Sequence, residues 1–270
     1  MAFFSNKIKI NQLFGFLVTN LKSINDDSWS VVFESTSMLV VKSAGSSGSE
    51  KMFLKLEPDT SKNATGNSIK ITISDNMSTT DGSIPPPSIA ISRVFTFHSN
   101  NVDTNGLIDY HMSVLVDRIV LWVSGDVNST TGVSNMAFIG LINQYSTGTP
   151  AANAFSIGLS YRSNEDGFRA VKDVSGGTAS SLYKAYSTLV PTNPGPAGAY
   201  NVYPQVLANA VEGARGELPD IYHVPPVGVN LGDIINVGGK AYTVYSLSPQ
   251  TTSLTQFNNF TGTKVAVYMG

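Results

Sequence analysis

Short apolar runs separated by turn residues fill most of the chain. The runs are rich in Val, Ile, Phe, Tyr and Thr, and Gly, Asn, Asp or Pro stands between them; examples are SWSVVFES, SMLVVKS, KMFLKLE, NSIKITIS, DYHMSVLV, RIVLWVSG and NMAFIGLI. Their spacing is typical of an antiparallel meander and not of strands that alternate with long helices. The pattern therefore predicts a mainly β fold, with antiparallel sheets arranged as a β-sandwich or in a barrel-like form.

The first 25 residues show a different, helical period. Their apolar positions recur at spacings of three and four, at Ile10, Leu13, Phe14, Leu17, Leu21 and Ile24. This spacing predicts an amphipathic helix within residues 1–25. Polar residues such as Lys7, Lys9 and Gln12 interrupt the stretch, so it resembles neither a signal peptide nor a membrane span. Because few lysines flank it, we expect the helix to pack on its own domain or a sister subunit and not on a membrane.

Two hairpins stand out in the β-rich part, which we divide into a main antiparallel domain at 26–188 and a C-terminal hairpin region at 216–270. In DYHMSVLVDRIVLWVSGD, a turn at Asp117-Arg118 joins two strands, and the period of two makes His111 a solvated or cross-strand residue. In IINVGGKAYTVYSLS, Gly238-Gly239 permits the positive φ angles of a two-residue turn. We expect the C-terminal hairpin region to pack on the main domain.

The segment 189–215 between these regions has the composition of an extended arm. TLVPTNPGPAGAYNVYPQV carries four prolines and two glycines, which prevent regular strand pairing. A loop of this length inside a compact domain is unusual. It is either a connector pinned across the sheet or an arm that reaches a neighbouring subunit. After it, QVLANAVEGARG predicts one or two helical turns that end at Gly213 and Gly216.

The stretch GELPDIYHVPPVGVN is predicted to be a stiff loop over 216–231. Pro219, Pro225 and Pro226 fix φ and favour extended conformations for the residues before them, which holds Tyr222 and His223 in a defined line. A turn at Asn230-Leu231-Gly232-Asp233 follows. We interpret His223 as a structural residue, although its protonation near an ordinary pKa of about 6.5 could tune an interface.

Composition narrows the function. Of the 270 residues only 13% are charged, against about 25% in an average protein. The formal net charge of -2, from 17 basic and 19 acidic residues, provides no general attraction to phosphate backbones, so we expect no specific nucleic-acid binding. Cysteine is absent, which removes disulfides, thiolate catalysis and Cys-ligated metals from consideration.

No motif in the sequence predicts a catalytic, metal or cofactor site. The nucleophile elbow, the phosphate loop, the zinc-binding helix and the calcium loop are all missing. The three histidines lie in unrelated contexts, which argues against a triad. The sequence leaves one alternative open, a pair of carboxylates that are close in space but not in sequence, as in glycoside hydrolysis. We therefore expect a protein without catalytic activity or cofactor, with a polysaccharide hydrolase as a distant alternative.

Part of the chain resembles structural proteins of tailed-bacteriophage virions. The resemblance rests on DRIVLWVSGD, MAFIGLI, GELPDIYHVPP, VNLGDIINVGGKAYTVYSLS and the last strand KVAVYM, and it covers about residues 109–270. It implies a neck, tail or baseplate component without catalysis, located in the virion and assembled in the cytoplasm of the host bacterium. It carries over no active-site residue.

The leading hypothesis is thus a non-enzymatic virion subunit that contacts sister subunits and other virion proteins, as a homo-oligomeric ring. The interface would lie on the arm 189–206 and the loop 216–231. Its expected members are the three tyrosines and the residues beside the last of them: Tyr200, Tyr203, Tyr222, His223, Pro225 and Pro226. The same tyrosines could pack on the parent sheet instead. The alternative function is a carbohydrate- or receptor-binding β module at the host surface, which 11 Tyr favour and only two Trp oppose.

Overall fold

The computed structural model confirms a mainly β protein built from antiparallel sheets. It describes residues 1–45, 52–59, 68–96, 106–124, 134–145, 154–157, 168–170, 182–186, 202–209, 211–224, 228–246 and 264–269. A single α-helix, α1 (Leu13–Lys22), lies within these residues, after a 3-10 turn at Ile10–Gln12. All strand pairs in them are antiparallel.

Eighteen strands occur in the described residues. Those of the first half are β1 (Ala2–Lys9), β2 (Trp29–Ser35), β3 (Met38–Ser43), β4 (Phe53–Asp59), β5 (Ser68–Ser74), β6 (Ala90–Thr96), β7 (Leu107–Leu115), β8 (Arg118–Ser124) and β9 (Ser134–Leu141). Those of the second half are β10 (Asn143–Gln144), β11 (Ala154–Ile157), β12 (Phe168–Ala170), β13 (Leu182–Tyr186), β14 (Tyr203–Asn209), β15 (Gly213–Val224), β16 (Ile234–Val237), β17 (Lys240–Ser246) and β18 (Lys264–Tyr268).

The strands form two sheets. The smaller is a meander in the order β2-β3-β4-β5-β6. The larger follows the order β1-β7-β8-β9-β11-β12-β13-β14-β15-β18-β17-β16, with β10 paired to β15. Most neighbours in it are consecutive along the chain, but β18 is inserted between β15 and β17, and β1 is added beside β7. Long-range pairing therefore places β1 at one end of the larger sheet, and β18 attaches the β16–β17 hairpin at the other end.

The first core lies between the two sheets and α1. Leu13, Leu17 and Leu21, one face of the helix, are buried in it. The other members come from both sheets and include Leu39, Leu54, Ile71, Ile73, Tyr110, Met112, Val114, Leu121 and Ile139. The predicted N-terminal helix is confirmed for Leu13–Lys22. Residues before it were wrongly included, because Ala2–Lys9 is a strand that pairs with β7.

A second core covers the opposite face of β8 and β9. Val120 and Phe138 point away from the first core and pack with Leu218, Ile221 and Val267 of the C-terminal strands. Successive side chains of a strand point to opposite faces. The unbroken apolar run RIVLWV is therefore explained by a strand whose two faces both meet apolar partners.

Both predicted hairpins are present. The first joins β7 to β8 through a turn whose closing pair is Leu115 and Arg118, one residue from the expected position. The second joins β16 to β17 through Gly238 and Gly239, with φ of +58° and +82°. Positive φ at both central residues is typical of a type I′ turn, whose twist matches that of the paired strands.

Two other predictions about local structure are wrong. The helical turns expected in QVLANAVEGARG are β14 and the start of β15, which pair with each other. The stiff loop expected over 216–231 is a strand as far as Val224. Helix propensity differs among ordinary residues by less than 1 kcal/mol per residue, so a sheet ladder readily overrides it. Most of the Pro-rich segment, 187–201, lies outside the described residues.

Candidate functional site

The paired strands β14 and β15 bring three of the predicted interface residues together. Tyr203 lies opposite His223, and Pro204 lies opposite Tyr222. Irregular pairing follows directly, between Pro204 and Gln205. The other predicted interface residues, Tyr200, Pro225 and Pro226, lie outside the described residues.

His223 is an internal residue of its own chain. His223 is only 7% exposed, and its Nδ1 has no hydrogen-bond partner among the described residues. Burial lowers the pKa of His223, which favours the neutral ring. The structural role expected for His223 agrees with this burial, although the residue belongs to a strand and not to a loop.

Tyr222 belongs to a group of three tyrosines on one face of the C-terminal strands. We call Tyr222, Tyr242 and Tyr268 the tyrosine cluster; they come from β15, β17 and β18. The Tyr222 and Tyr242 rings meet edge to face at 5.2 Å, and the Tyr242 and Tyr268 rings lie 5.6 Å apart. Tyr242 is buried, while the other two are half-buried. The Lys240 Nζ stands 4.8 Å from the centre of the Tyr268 ring, which is cation–π geometry.

Asp220 holds this cluster against the main part of the molecule. Its carboxylate accepts hydrogen bonds from the guanidinium of Arg118, from Lys240 Nζ at 3.2 Å and from Tyr242 Oη at 3.1 Å. Arg118 also donates to Asp117 Oδ1 at 2.7 Å. We call Asp117, Arg118, Asp220, Lys240 and Tyr242 the Asp220 clamp. It joins β8 to β15 and β17.

The electrostatics of the clamp are those of a paired charge. Burial alone would raise the pKa of Asp220, but the positive charge of Arg118 and the hydrogen bonds from Lys240 and Tyr242 outweigh it and lower that pKa. Burial and the nearby Asp220 raise the pKa of the Tyr242 hydroxyl well above its ordinary value. A general acid needs a raised carboxyl pKa. Asp117 and Asp220 both bond to Arg118 and are therefore close in space, and the lowered pKa of Asp220 does not suit the general acid of a carboxylate pair.

A second aromatic group lies near the free edge at β1. His111 stacks edge-on with Trp122 at 5.3 Å and with Tyr245 at 5.4 Å, and Phe3 lies 6.2 Å from it. We call Phe3, His111, Trp122 and Tyr245 the β1-side aromatic group. Tyr245 is buried, His111 and Trp122 are half-buried, and Phe3 is 45% exposed. His111 is thus the cross-strand residue predicted from the sequence, because it pairs with Trp122.

The larger sheet ends in an apolar edge at β16. Leu231, in the turn before β16, is 58% exposed, and Ile234 on β16 is 69% exposed. Among the described residues, β16 has a neighbouring strand on one side only. Exposed aliphatic side chains on an unpaired edge favour contact with another chain.

The Asp220 clamp was not predicted from the sequence. Arg118 and Asp220 are 102 positions apart, and the sequence pattern places Arg118 in a turn. One local signal was present, because Asp after Pro is typical of a turn or an irregular backbone, and Asp220 has a φ of +57°. The positions of its partners depend on how two sheets pack, which spacing along one chain does not encode.

The described part of the chain holds no group of three or more His, Asp or Glu residues placed to bind a metal ion. Its single α-helix is too short to cross a membrane. No family model matches the chain. A search of curated proteins likewise finds no match.

Proposed function

We propose that this chain is a non-enzymatic structural subunit of a tailed-phage virion, located at a neck, tail or baseplate junction. The observation that carries the proposal is the apolar edge at Leu231 and Ile234, which lies on the same sheet as the tyrosine cluster. The sequence resemblance over about 109–270 includes this region. Its partners would be sister subunits and other virion proteins, met in the cytoplasm of the host bacterium.

The chemistry of this region suits protein contacts. Tyrosine buries a large area while its hydroxyl keeps a hydrogen-bonding tip, and it is enriched at interfaces. The cores of interfaces are poor in charge, and this chain has only 13% charged residues. The Asp220 clamp fixes Tyr242 in place, so a partner would meet a surface that is already ordered.

The fold suits a subunit of a ring. The two sheets that share the first core would act as a rigid β-sandwich or barrel-like body, and the Pro/Gly-rich segments would act as arms. A homo-oligomeric ring requires that one surface of each copy meets a different surface of the next. The arm 189–206, with Tyr200, is the predicted second surface.

The mass of the native protein in solution tests this function. Light scattering over a range of concentrations is expected to give a closed oligomer of defined size. Limited proteolysis is then expected to cut the 189–206 arm more slowly in the oligomer than in dissociated subunits. A protein that stays monomeric at all concentrations, with equal cleavage under both conditions, would contradict the proposal.

A carbohydrate- or receptor-binding module is the second candidate, and the β1-side aromatic group favours it. Sugars stack on partly exposed aromatic rings, and His111 and Trp122 are half-buried beside the exposed Phe3. If this function holds, a glycan array gives a signal that Trp122→Ala removes and Trp29→Phe keeps, because Trp29 is buried in the first core. A blank array with folded protein would eliminate this candidate.

A further inference from the structure

Within the described residues, the larger sheet ends in an open strand edge on both sides. β1 stands at one end of the strand order and β16 at the other, and neither has a second neighbour among the described strands. Natural proteins protect such edges with charges, prolines or bulges. Ile234–Val237 carries no charge and no proline, and neither does the first half of β1, residues 2–5.

The outward N–H groups of β1 are free only in this uncharged half, as far as the described residues show. The Lys7 N–H donates to Asn6 Oδ1 at 2.8 Å, and the Lys9 N–H donates to Gln12 Oε1 at 3.2 Å, so both groups point away from β7. Outward groups alternate along an antiparallel edge, which places the N–H groups of Phe3 and Ser5 on the same outward side. No described residue outside β7 bonds to these two N–H groups.

The same alternation identifies the open groups of β16. Its turn is closed by Val237, and the Asp233 carbonyl accepts from the Val244 N–H at 2.9 Å, so residues 233, 235 and 237 bond to β17. Ile234 and Asn236 therefore direct their backbone groups away from β17. Each edge thus offers two residues with outward N–H and C=O groups, separated by one residue.

We propose that β1 of one copy pairs with β16 of the next, antiparallel, with Phe3 opposite Asn236 and Ser5 opposite Ile234. This inference rests on the proposed function and specifies its partner as a second copy of this chain. It is the register in which all four outward residues form bonded pairs.

Charge decides the direction of the added strand. In the antiparallel arrangement, Lys7 lies beside Asp233, which precedes β16. In a parallel arrangement the lysine end of β1 would run towards Lys240, so like charges would meet. The apolar side chains agree with the antiparallel register, because Phe4 and Ile235 then lie opposite each other on one face, and each already packs on a core of its own copy.

Head-to-tail pairing joins different surfaces, so it generates a ring or a filament and not a closed dimer. A pairing of four residues is small beside the roughly 1,200–2,000 Å² of a stable interface. We therefore expect neighbouring arms to add contacts, and we expect cross-linking to capture the pairing where dilution would release it.

Cysteine cross-linking tests this pairing without interference, because the chain has no cysteine. Residues opposite each other in a bonded antiparallel pair have Cα atoms about 5.5 Å apart, which suits a disulfide. Full-length Phe3→Cys and Asn236→Cys proteins, mixed and oxidised, are expected to give a covalent dimer on a denaturing gel. The double variant is expected to give a ladder of higher multimers. Phe3→Cys mixed with Val237→Cys is the control, because those side chains lie on opposite faces.

The outcomes separate this inference from the proposed function. Ile234→Asp is expected to weaken association roughly tenfold or more by placing a charge in the pairing, while Val31→Asp on the smaller sheet leaves it unchanged. An oligomer that gives no β1–β16 cross-link, or that cross-links only like edges, overturns the pairing and leaves the subunit function intact. A monomer at every concentration overturns both.

Discussion

Asp220 combines two costs that a strand residue normally avoids. Its φ of +57° is unfavourable for a residue with a Cβ, by roughly 1–2 kcal/mol. Its carboxylate is also largely removed from water. Both are offset by three donors that come from two other strands, β8 and β17. The residue thus links the backbone irregularity of β15 to the attachment of the C-terminal sheet.

Removal of the Asp220 carboxylate should therefore lower the free energy of unfolding strongly. Asp220→Ala leaves the buried Arg118 guanidinium without one of its two acids, and we expect a loss of about 3 kcal/mol in the free energy of unfolding. Asp220→Asn keeps an acceptor and tolerates the backbone angle, so it should lose less. Urea unfolding followed by circular dichroism measures both.

An exposed ion pair provides the control for that prediction. Lys22 and Glu34 bond at 2.7 Å, but both side chains are more than a third exposed. Solvent-exposed pairs contribute little to stability. Glu34→Ala should therefore change the free energy of unfolding by less than about 1 kcal/mol. Equal losses in Glu34→Ala and Asp220→Ala would show that the clamp has no special role.

His223 gives the chain a predictable response to acid. Burial lowers its pKa in the folded state, so the unfolded chain takes up the proton first. The resulting stability is complete above the unfolded pKa of about 6.5 and is lost as pH falls from there through the lower folded pKa. We expect His223→Leu to reduce the loss of stability between pH 7.5 and 5.5, measured by urea unfolding at each pH.

At pH 7.5 the same variant should be nearly neutral or slightly stabilising, because it removes a buried Nδ1 to which no residue in the described part of the chain bonds. His111, whose pKa burial also lowers, should retain part of the acid response. A large loss of stability at pH 7.5 would mean that His223 makes a contact that a leucine cannot replace.

Two glycines within regular elements should respond in opposite ways to alanine. Gly15 lies on an exposed position of α1, and a methyl group added there would meet no other atom. Gly15→Ala should therefore stabilise the protein by roughly 0.5–1 kcal/mol. A Cβ on Gly216 would meet the Asn143 carbonyl oxygen at 2.3 Å, where β10 pairs with β15. Gly216→Ala should therefore destabilise the protein by about 1–3 kcal/mol.

Thermal unfolding of the two alanine variants, measured side by side, checks this contrast. If Gly216→Ala does not lower the midpoint, the close approach of β10 to β15 is not what requires glycine at position 216.

Local signals predicted those elements whose partners are near in sequence. The Gly238-Gly239 hairpin and the β7–β8 hairpin both follow from a turn and the period of two. The helix followed from the spacing of Leu13, Leu17 and Leu21. In each case the residues that form the element also supply its pairing or its buried face.

Elements whose partners are distant were missed or misassigned. β1 pairs with residues about a hundred positions away, so its short alternation was absorbed into the helical pattern that follows. Gln205, Leu207 and Ala208 of β14 favour helices, but the ladder with β15 decided the conformation of this segment. The Asp220 clamp was missed for the same reason. Arg118 and Asp220 lie on strands that are distant in sequence, and they meet only when those strands pack together.

At the scale of the whole molecule, β8 and β9 form the layer that the first and second cores share. One face completes the first core with the smaller sheet and α1, and the other face completes the second core with the C-terminal strands. Neither core can lose this layer without exposing apolar surface. We therefore expect the described parts of the chain to unfold as one unit.

The two tryptophans make that expectation testable. Trp29 is buried in the first core, where its Nε1 donates to the Leu115 carbonyl at 2.7 Å, and Trp122 packs beside the second core. In Trp122→Phe the fluorescence reports only Trp29, and in Trp29→Phe only Trp122. Within each variant, the fluorescence and circular dichroism midpoints in urea should coincide. Separate midpoints would show that the cores unfold independently.

The position of β18 has a consequence for synthesis on the ribosome. β15 and β17 do not pair with each other, because Lys264–Tyr268 lies between them. Until Lys264–Tyr268 has been made and has left the ribosome, β15 and β17 each have one open edge. A product cut short before Lys264 would keep these edges exposed, and they could pair with other chains. Loss of β18 during synthesis would therefore favour aggregation of the truncated product over its folding.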